Sequence, residues 1–314
     1  MTPIFVSTRI AKQESNAIWS IKALALLSVF FAHMPWSDKD SVMYVIYSFI
    51  GIIGVPIFLF LSGYLSVSSH KSLWQQTRFL IIPLLIYASI TYIISFVINH
   101  RWDTSIDKII IQYFRWVIGS GSIYYFIPVL LFCHFTSKYI ADWILIIVST
   151  ISILLSQDYL PHNEIFTRYL NPFNFIVYYS IGRVVRLYSI SLMGGAKLLL
   201  SAVILVISII VWKGIPTYFN ILCIPFSLSI LVILYDFFNK KNSVILISIG
   251  KISFVVYLIH IQIAGIINSL MRHIGLEHFK VFIAYAVVCA IVYVASVYLK
   301  KNDKWHISKH LGFR

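Results

Sequence analysis

Residues 18–36 read IWSIKALALLSVFFAHMPW, and this stretch decides the class of fold. A membrane-spanning helix needs about 20 mostly apolar residues, and the stretch has that length and character. Its only ionisable side chains are those of Lys22 and His33. Nine further apolar runs follow, at 42–67, 79–98, 123–137, 143–156, 172–185, 198–212, 217–238, 253–270 and 281–299. The pattern predicts an all-α polytopic membrane protein with about ten transmembrane helices.

The composition agrees with this class. Of 314 residues, 60% are hydrophobic and 11% are charged, and the mean hydropathy is +0.87. A soluble domain is typically about 45–50% apolar and about 25% charged, so an ordinary soluble globule is excluded. Three cysteines, all inside apolar runs, do not make a disulfide framework. We interpret residues 1–314 as a single membrane domain without an appended soluble domain.

The net charge of +14 is explained by membrane topology. Lysine and arginine are scattered between the apolar runs and do not cluster on one face, which argues against a nucleic-acid partner. With the N-terminus inside, the inner segments carry roughly twice as many Lys and Arg residues as the outer ones. We therefore predict that both termini are cytoplasmic. The stretch 109–118 is apolar but contains Arg115, and we interpret it as an interfacial or re-entrant segment.

Lys22 and His33 form the sharpest candidate site. They are eleven positions apart, so at about 100° per residue their side chains lie on one helical face, about 16 Å apart along the axis. Ionisable groups at bilayer depth are functional candidates because burying them is costly. A cation toward the inside and an imidazole toward the outside are suited to line a polar passage. The alternative is that Lys22 extends to the inner interface and His33 sits at the outer one.

Other polar or small residues in the apolar runs have two interpretations each. Gly51, Gly54, Ser62 and Gly63 allow close approach of a ligand or, more simply, of another helix, while Pro56 interrupts helical hydrogen bonding. Arg78 is either one of the positive charges typical of inner loops in membrane proteins or a residue that binds a phosphate group. Asn171 and Asn174 begin the sixth run, and Arg183 and Arg186 lie at its inner end. His260 lies mid-run, where a packing role is the simpler interpretation.

The sequence lacks the motifs that are typical of several kinds of binding site and catalytic site. The sequence has no Walker A or GxGxxG phosphate loop, no HExxH or CxxC metal motif and no GxSxG nucleophile elbow. We therefore expect no metal and no tightly bound cofactor.

Five pieces, taken in order, resemble one family. They are Lys22 followed by ten residues and His33, then PIFLFLSGYL at 56–65, TRFLIIP at 77–83, YYFIP at 124–128 and ISFVVYLIH at 252–260. The set resembles the integral-membrane acyltransferase 3 family, which includes O-acetylases of bacterial surface polysaccharides. The chain departs from that family in two places. Lys22 stands where arginine is usual, which removes a bidentate donor, and Gln75 stands where a second arginine is common.

The resemblance implies acetyl transfer from cytoplasmic acetyl-CoA, as acyl donor, to a sugar hydroxyl. His33 is then the general base or a transient acyl relay, two roles that imidazole can fill near pH 7. The implied donor-binding residues are Lys22, Arg78, Arg183 and Arg186, and the implied pocket-lining residues are Ser62, Gly63, Tyr64, Tyr125 and His260. The expected acceptor is a surface polysaccharide such as O-antigen or a lipid-linked sugar, and the expected location is the bacterial cytoplasmic (inner) membrane.

The main alternative is a transporter or flippase for a glycan or small metabolite. Ten helices, interrupted spans and a polar passage fit that class, but transporters often show internal repeats and this sequence shows none. A non-catalytic scaffold is a third possibility. A scaffold role gives no reason why a lysine, whose charge is costly to bury in a membrane, should share one helical face with a histidine.

Overall fold

The computed structural model describes residues 10–34, 41–69, 72–98, 105–119, 123–158, 169–273, 279–301 and 311–312, and no strand occurs among them. The helices are α1 (Lys12–His33), α2 (Val42–Gly51), α3 (Gly54–Ser66), α4 (Leu73–Ile98), α5 (Ile106–Ile118), α6 (Phe126–Tyr139), α7 (Asp142–Asp158), α8 (Ile176–Leu187), α9 (Gly195–Val211), α10 (Cys223–Lys240), α11 (Val244–His273) and α12 (Lys280–Lys301). Short 3-10 turns, Ile123–Tyr125 and Pro172–Asn174, lead into α6 and α8. Each of the ten apolar runs coincides with a helix or, at 42–67, with the pair α2 and α3. The all-α prediction is confirmed.

Six segments in the described part of the chain are long and apolar enough to cross a membrane. They are Lys12–His33, Val42–Ser66, Leu73–Val97, Cys223–Lys240, Val244–Met271 and Lys280–Leu299. The helices at the fourth to seventh predicted spans are shorter. The 12 residues of α8, for example, rise about 18 Å against a hydrocarbon core of about 30 Å. Ten spans and cytoplasmic termini therefore stay predictions.

The outer helices present apolar side chains to the surroundings. Leu199 and Ile210 of α9 are 69% and 75% exposed, and Val294 of α12 is 66% exposed. Exposed apolar surface on this scale marks contact with another apolar phase, here the lipid of a membrane. This surface and the six long apolar helices make the chain an integral membrane protein.

The stretch around 109–118 forms α5, which packs on α4. The Tyr92 hydroxyl donates to the Ile109 carbonyl at 3.0 Å, and the hydroxyls of Ser89 and Tyr113 lie 2.8 Å apart. No residue of α5 is fully buried. The stretch therefore forms a separate helix on α4, and its interfacial or re-entrant position stays a prediction.

Glycines bring the central helices into backbone contact. A Cβ atom placed on Gly63 of α3 would lie 2.0 Å from the Tyr179 carbonyl oxygen of α8, and one on Gly182 of α8 would lie 2.1 Å from the Phe60 carbonyl oxygen of α3. A Cβ atom placed on Gly54 would lie 2.5 Å from the Ala25 carbonyl oxygen of α1. The predicted small-residue packing seam is confirmed for Gly54 and Gly63.

The break between α2 and α3 has its carbonyl groups satisfied. Ser28 Oγ donates to the carbonyls of Ile50 at 2.6 Å and Gly51 at 3.2 Å, and the Tyr218 hydroxyl donates to Gly51 at 3.0 Å. Pro56 lies within the first turn of α3, where its missing N–H is tolerated. The interruption is thereby stabilised inside the bundle, as a membrane interior requires.

Candidate active site

One cavity, about 660 Å³ in volume, surrounds the end of α1, and we call it the His33 cavity. His33 is the last residue of α1, is exposed and lines this cavity. The other lining residues are Val29, Phe31, Ala32, Tyr44, Ser48, Gly51, Ile52, Val55, Trp116, Gly119, Tyr125, Tyr169, Ile215, Pro216, Thr217, Tyr218, Tyr257, Ile261 and Gln262. Aromatic rings and hydroxyl or amide groups thus surround the imidazole. Such a lining suits a polar ligand with apolar faces.

A second cavity, about 240 Å³ in volume, lies beside the first half of α1, and we call it the Lys22 cavity. Its lining residues are Trp19, Lys22, Phe58, Ser62, Leu65, Ser66, Ser69, Gln76, Phe79, Leu80, Phe126, Leu130, His134, Gly250, Lys251, Ser253, Phe254, Tyr257 and Gly312. Two lysines and a histidine occur among them, and no carboxylate does. The cavity therefore favours an anionic ligand.

Tyr257 is shared by the two cavities. Its side chain is 5% exposed and packs edge-to-face on Phe126, with 5.4 Å between ring centroids. Phe126 itself lines the Lys22 cavity. Tyr257 of α11 thus borders both a cation-lined cavity and a cavity that contains an imidazole.

The two cavities lie at opposite ends of the bundle. The Lys22 cavity is bordered by segments that the charge pattern predicts to be inside, and the His33 cavity by segments predicted to be outside, such as 215–218. Gly312, near the C-terminus, lines the Lys22 cavity. The first half of α1, which includes Trp19 and Lys22, lines the same cavity.

His33 lies beside a second histidine. The rings of His33 and His260 have centroids 5.1 Å apart at an interplanar angle of 51°. His260 is fully buried, and its Nδ1 lies 2.6 Å from the Tyr257 carbonyl oxygen. At the other end of the same helix pair, α1 and α11 are in backbone contact, since a Cβ on Gly250 would lie 1.9 Å from the Trp19 carbonyl oxygen.

Lys22 is half-buried, and its Nζ lies 4.7 Å from the centroid of the Trp19 ring. A cation–π contact of this kind holds an ammonium group near the wall of a site without neutralising it. Lys251 and His134 line the same cavity, and sequence reasoning missed both. Lys251 directly precedes the family-like stretch 252–260, which was the available signal. His134 follows no recognisable motif.

The three arginines predicted to bind the donor lie outside the described linings of both cavities. Arg183 Nε is 2.9 Å from Asp142, and Arg186 is 3.2 Å from Glu14. These ion pairs join α8 to α7 and to α1. Arg78 is exposed on α4. Donor binding by these arginines stays a prediction, and the Lys22 cavity offers other cations for that role.

The predicted pocket-lining residues are distributed as follows. Ser62 lines the Lys22 cavity and Tyr125 lines the His33 cavity. Gly63 packs against the α8 backbone, and the Tyr64 hydroxyl donates to Glu14 at 2.6 Å. His260 contacts the His33 ring from beneath the cavity wall. Among the described residues, no cluster of His, Cys, Asp or Glu is arranged to hold a metal ion.

A comparison with known protein families identifies the family of this chain. A family model described as an acyltransferase domain matches residues 16–301, nearly the whole chain, including both cavities' ionisable residues. The chain belongs to the acyltransferase 3 family. No curated protein and no solved structure shows significant similarity to it. The resemblance inferred from the ordered motifs is confirmed, and the fold and family together define an integral membrane acyltransferase.

Proposed function

We propose that this protein is a membrane-embedded O-acetyltransferase. It moves an acetyl group from cytoplasmic acetyl-CoA to a hydroxyl of a surface-polysaccharide or lipid-linked sugar. The observation that carries the proposal is that Tyr257 borders both cavities, one lined by Lys22 and the other by His33. Two substrates of different chemistry can approach such a partition from opposite ends. Membership of an acyltransferase family supports this enzyme over a transporter.

The Lys22 cavity is the proposed donor side. The phosphates of coenzyme A carry several negative charges, and Lys22, Lys251 and His134 line this cavity. Lysine acts there as a point charge, which suits phosphate recognition without bidentate geometry. The pantetheine arm then bridges toward Tyr257, over a distance comparable with the about 16 Å that separates Lys22 and His33 along α1.

The His33 cavity is the proposed acceptor side. Its larger volume of about 660 Å³ and its aromatic lining, which includes Tyr44, Trp116 and Tyr169, fit a sugar ring with apolar and hydroxylated faces. A lipid-linked glycan is a natural acceptor because the membrane already holds it beside the site. The charge pattern of the sequence predicts that this cavity opens toward the outer side of the cytoplasmic membrane.

Acyl transfer then follows with His33 as the base. The acceptor hydroxyl oxygen attacks the thioester carbonyl carbon while a ring nitrogen of His33 takes the hydroxyl proton. A C–O bond forms, the C–S bond breaks, and the proton passes to the coenzyme A sulfur, which leaves as a thiol. General base catalysis of this kind contributes about 10²–10⁴-fold. In the relay version the His33 nitrogen carries the acetyl group between the two substrates.

The test uses protein reconstituted in vesicles, acetyl-CoA labelled in its acetyl group and a lipid-linked glycan pool. Label should move to the glycan with the wild-type protein, and His33→Ala should lower the rate by about 10²–10⁴-fold while leaving acetyl-CoA binding unchanged. Phe135→Ala, a truncation of an exposed ring on α6, is the matched control and should keep full activity. Normal transfer by correctly inserted His33→Ala would refute the proposed role of His33.

A further inference from the structure

The second histidine, His260, has a buried ring nitrogen with nothing to bind in the described structure. Its Nδ1 lies 2.6 Å from the Tyr257 carbonyl oxygen, which can only accept, so Nδ1 carries a proton. The neutral ring then presents a lone pair at Nε2. This Nε2 atom is buried and has no hydrogen-bond partner among the described residues. A buried polar atom of this kind calls for an explanation, and function is a common one.

The ring of His260 is fixed in place by its surroundings. It packs on Phe30, with centroids 5.2 Å apart, and on Tyr257, with centroids 5.5 Å apart. The residue is 0% exposed. Packing and the bond to its own helix therefore fix the ring, and His33, at 5.1 Å between centroids, is a neighbouring imidazole.

We propose that His260 is a positioning residue that accepts a hydrogen bond from His33 during acyl transfer, either directly or through one water molecule. This inference rests on the proposed function, because it assigns a role to His33 as the reacting imidazole. With one ring nitrogen of His33 donating to His260, the other nitrogen keeps its lone pair and faces the acceptor cavity. His260 thereby selects the tautomer and orientation of His33 that can take a hydroxyl proton.

The bond also strengthens as the reaction proceeds. When His33 takes the proton it becomes a cation, and a hydrogen bond from a charged donor is roughly twice as strong as a neutral one. An interaction that is stronger in the transition state raises kcat and leaves substrate binding nearly unchanged. The expected signature of a change at His260 is therefore a loss in kcat with a nearly constant KM.

Two substitutions separate positioning from packing. His260→Gln keeps a donor for the Tyr257 carbonyl and an acceptor for His33, whereas His260→Leu has a similar apolar volume and neither polar group. We expect His260→Leu to lose roughly 100-fold in kcat, with KM for acetyl-CoA and glycan within about threefold of wild type. His260→Gln should retain at least roughly ten times the activity of His260→Leu.

A packing role predicts the reverse order, because an apolar leucine suits a buried site better than a polar amide. Activity of His260→Leu equal to or above that of His260→Gln would overturn the inference. If His260→Leu does not fold, ¹⁵N NMR of histidine-labelled wild-type protein decides, with the His33 signals assigned by their loss in His33→Ala. A single neutral tautomer of His33 supports the inference, and an even mixture of tautomers overturns it.

These outcomes are distinct from a failure of the proposed function. A wild-type protein that transfers nothing from acetyl-CoA refutes the proposed function itself. A wild-type protein that is active and depends on His33, with His260→Leu as active as wild type, refutes only the role of His260.

Discussion

Lys22 and His33 lie on one face of α1 but border different cavities, with Tyr257 between them. The proposed function gives a different chemical task to each residue. In that proposal the ammonium group of Lys22 attracts the anionic donor at one end, and the imidazole of His33 takes a proton at the other. At the scale of single residues, we therefore predict that substitutions of Lys22 change KM for acetyl-CoA, whereas substitutions of His33 change kcat.

Lys22→Met tests the donor side. Removing one charge-assisted phosphate contact should raise KM for acetyl-CoA by roughly 10–150-fold, since such contacts contribute about 1.5–3 kcal/mol, and should change kcat little. Lys251→Met should act in the same direction. Lys197→Met, in which an exposed lysine of α9 bound to the Ser191 carbonyl is replaced, is the matched control. An unchanged KM for acetyl-CoA in both Lys22→Met and Lys251→Met would show that the donor does not bind in the Lys22 cavity.

Arg183→Gln distinguishes the predicted donor role of this arginine from a structural one. The Arg183–Asp142 pair is mostly buried, with side chains 21% and 11% exposed, so its loss leaves Asp142 poorly paired. We expect a destabilisation of about 1–3 kcal/mol, measured as a lower unfolding temperature in detergent, and an unchanged KM for acetyl-CoA. A raised KM with normal stability would instead support the predicted role in donor binding.

At the scale of helices, α3 and α8 cross through a reciprocal pair of glycines. Gly63 faces the α8 backbone and Gly182 faces the α3 backbone, each at a distance that excludes a Cβ atom. Close backbone contact replaces the hydrophobic driving force that is absent between helices in lipid. The crossing also carries Ser62 into the Lys22 cavity. The stability of this crossing therefore supports the donor side of the site.

Gly63→Ala should separate the two helices. Its Cβ would lie 2.0 Å from a backbone oxygen, which cannot move independently of its helix, so we expect a destabilisation of about 1–3 kcal/mol. Gly265→Ala in α11 is the control, because no neighbouring atom lies within 4 Å of its added Cβ. That control should be neutral or stabilising by up to about 1 kcal/mol. Equal unfolding temperatures for the two variants would contradict the crossing described here.

Hydrophobic patterning was sufficient to predict the helices, because a run such as 253–270 can satisfy its backbone in lipid only as a helix. It was not sufficient to decide whether short helices such as α8 cross the bilayer, since their length falls below the hydrocarbon thickness. The cavity positions of His134 and Lys251 depend on how α6 packs against α3 and α4 and on how α11 packs against α1. No periodicity within either segment carries that information, so these residues were missed.

At the scale of the whole molecule, the bundle contains two cavities that share Tyr257 as a lining residue. We propose that Tyr257 separates the acceptor chamber from the donor chamber and so keeps water away from the thioester until the acceptor is bound. It also restricts transfer to groups that can pass Tyr257. The consequence can be measured as a competition between transfer to the glycan and hydrolysis by water.

Tyr257→Ala should join the two chambers. We expect the ratio of acetyl-CoA hydrolysis to glycan acetylation to rise by roughly tenfold, since a misplaced or water-exposed thioester loses its preference for the bound acceptor. Tyr257→Phe keeps the ring and is the matched control, with an expected ratio within about twofold of wild type. A ratio that stays constant in Tyr257→Ala would show that the partition lies elsewhere.

The most direct test of the central claim is mass spectrometry of the host's surface glycan. Three strains are compared: one with the gene deleted, one with it restored and one restored as His33→Ala. The account predicts that each modified sugar loses the mass of one acetyl group on deletion, regains it with the wild-type gene and stays unmodified with His33→Ala. An unchanged glycan mass in all three strains would contradict the claim that this acyltransferase acetylates a surface sugar.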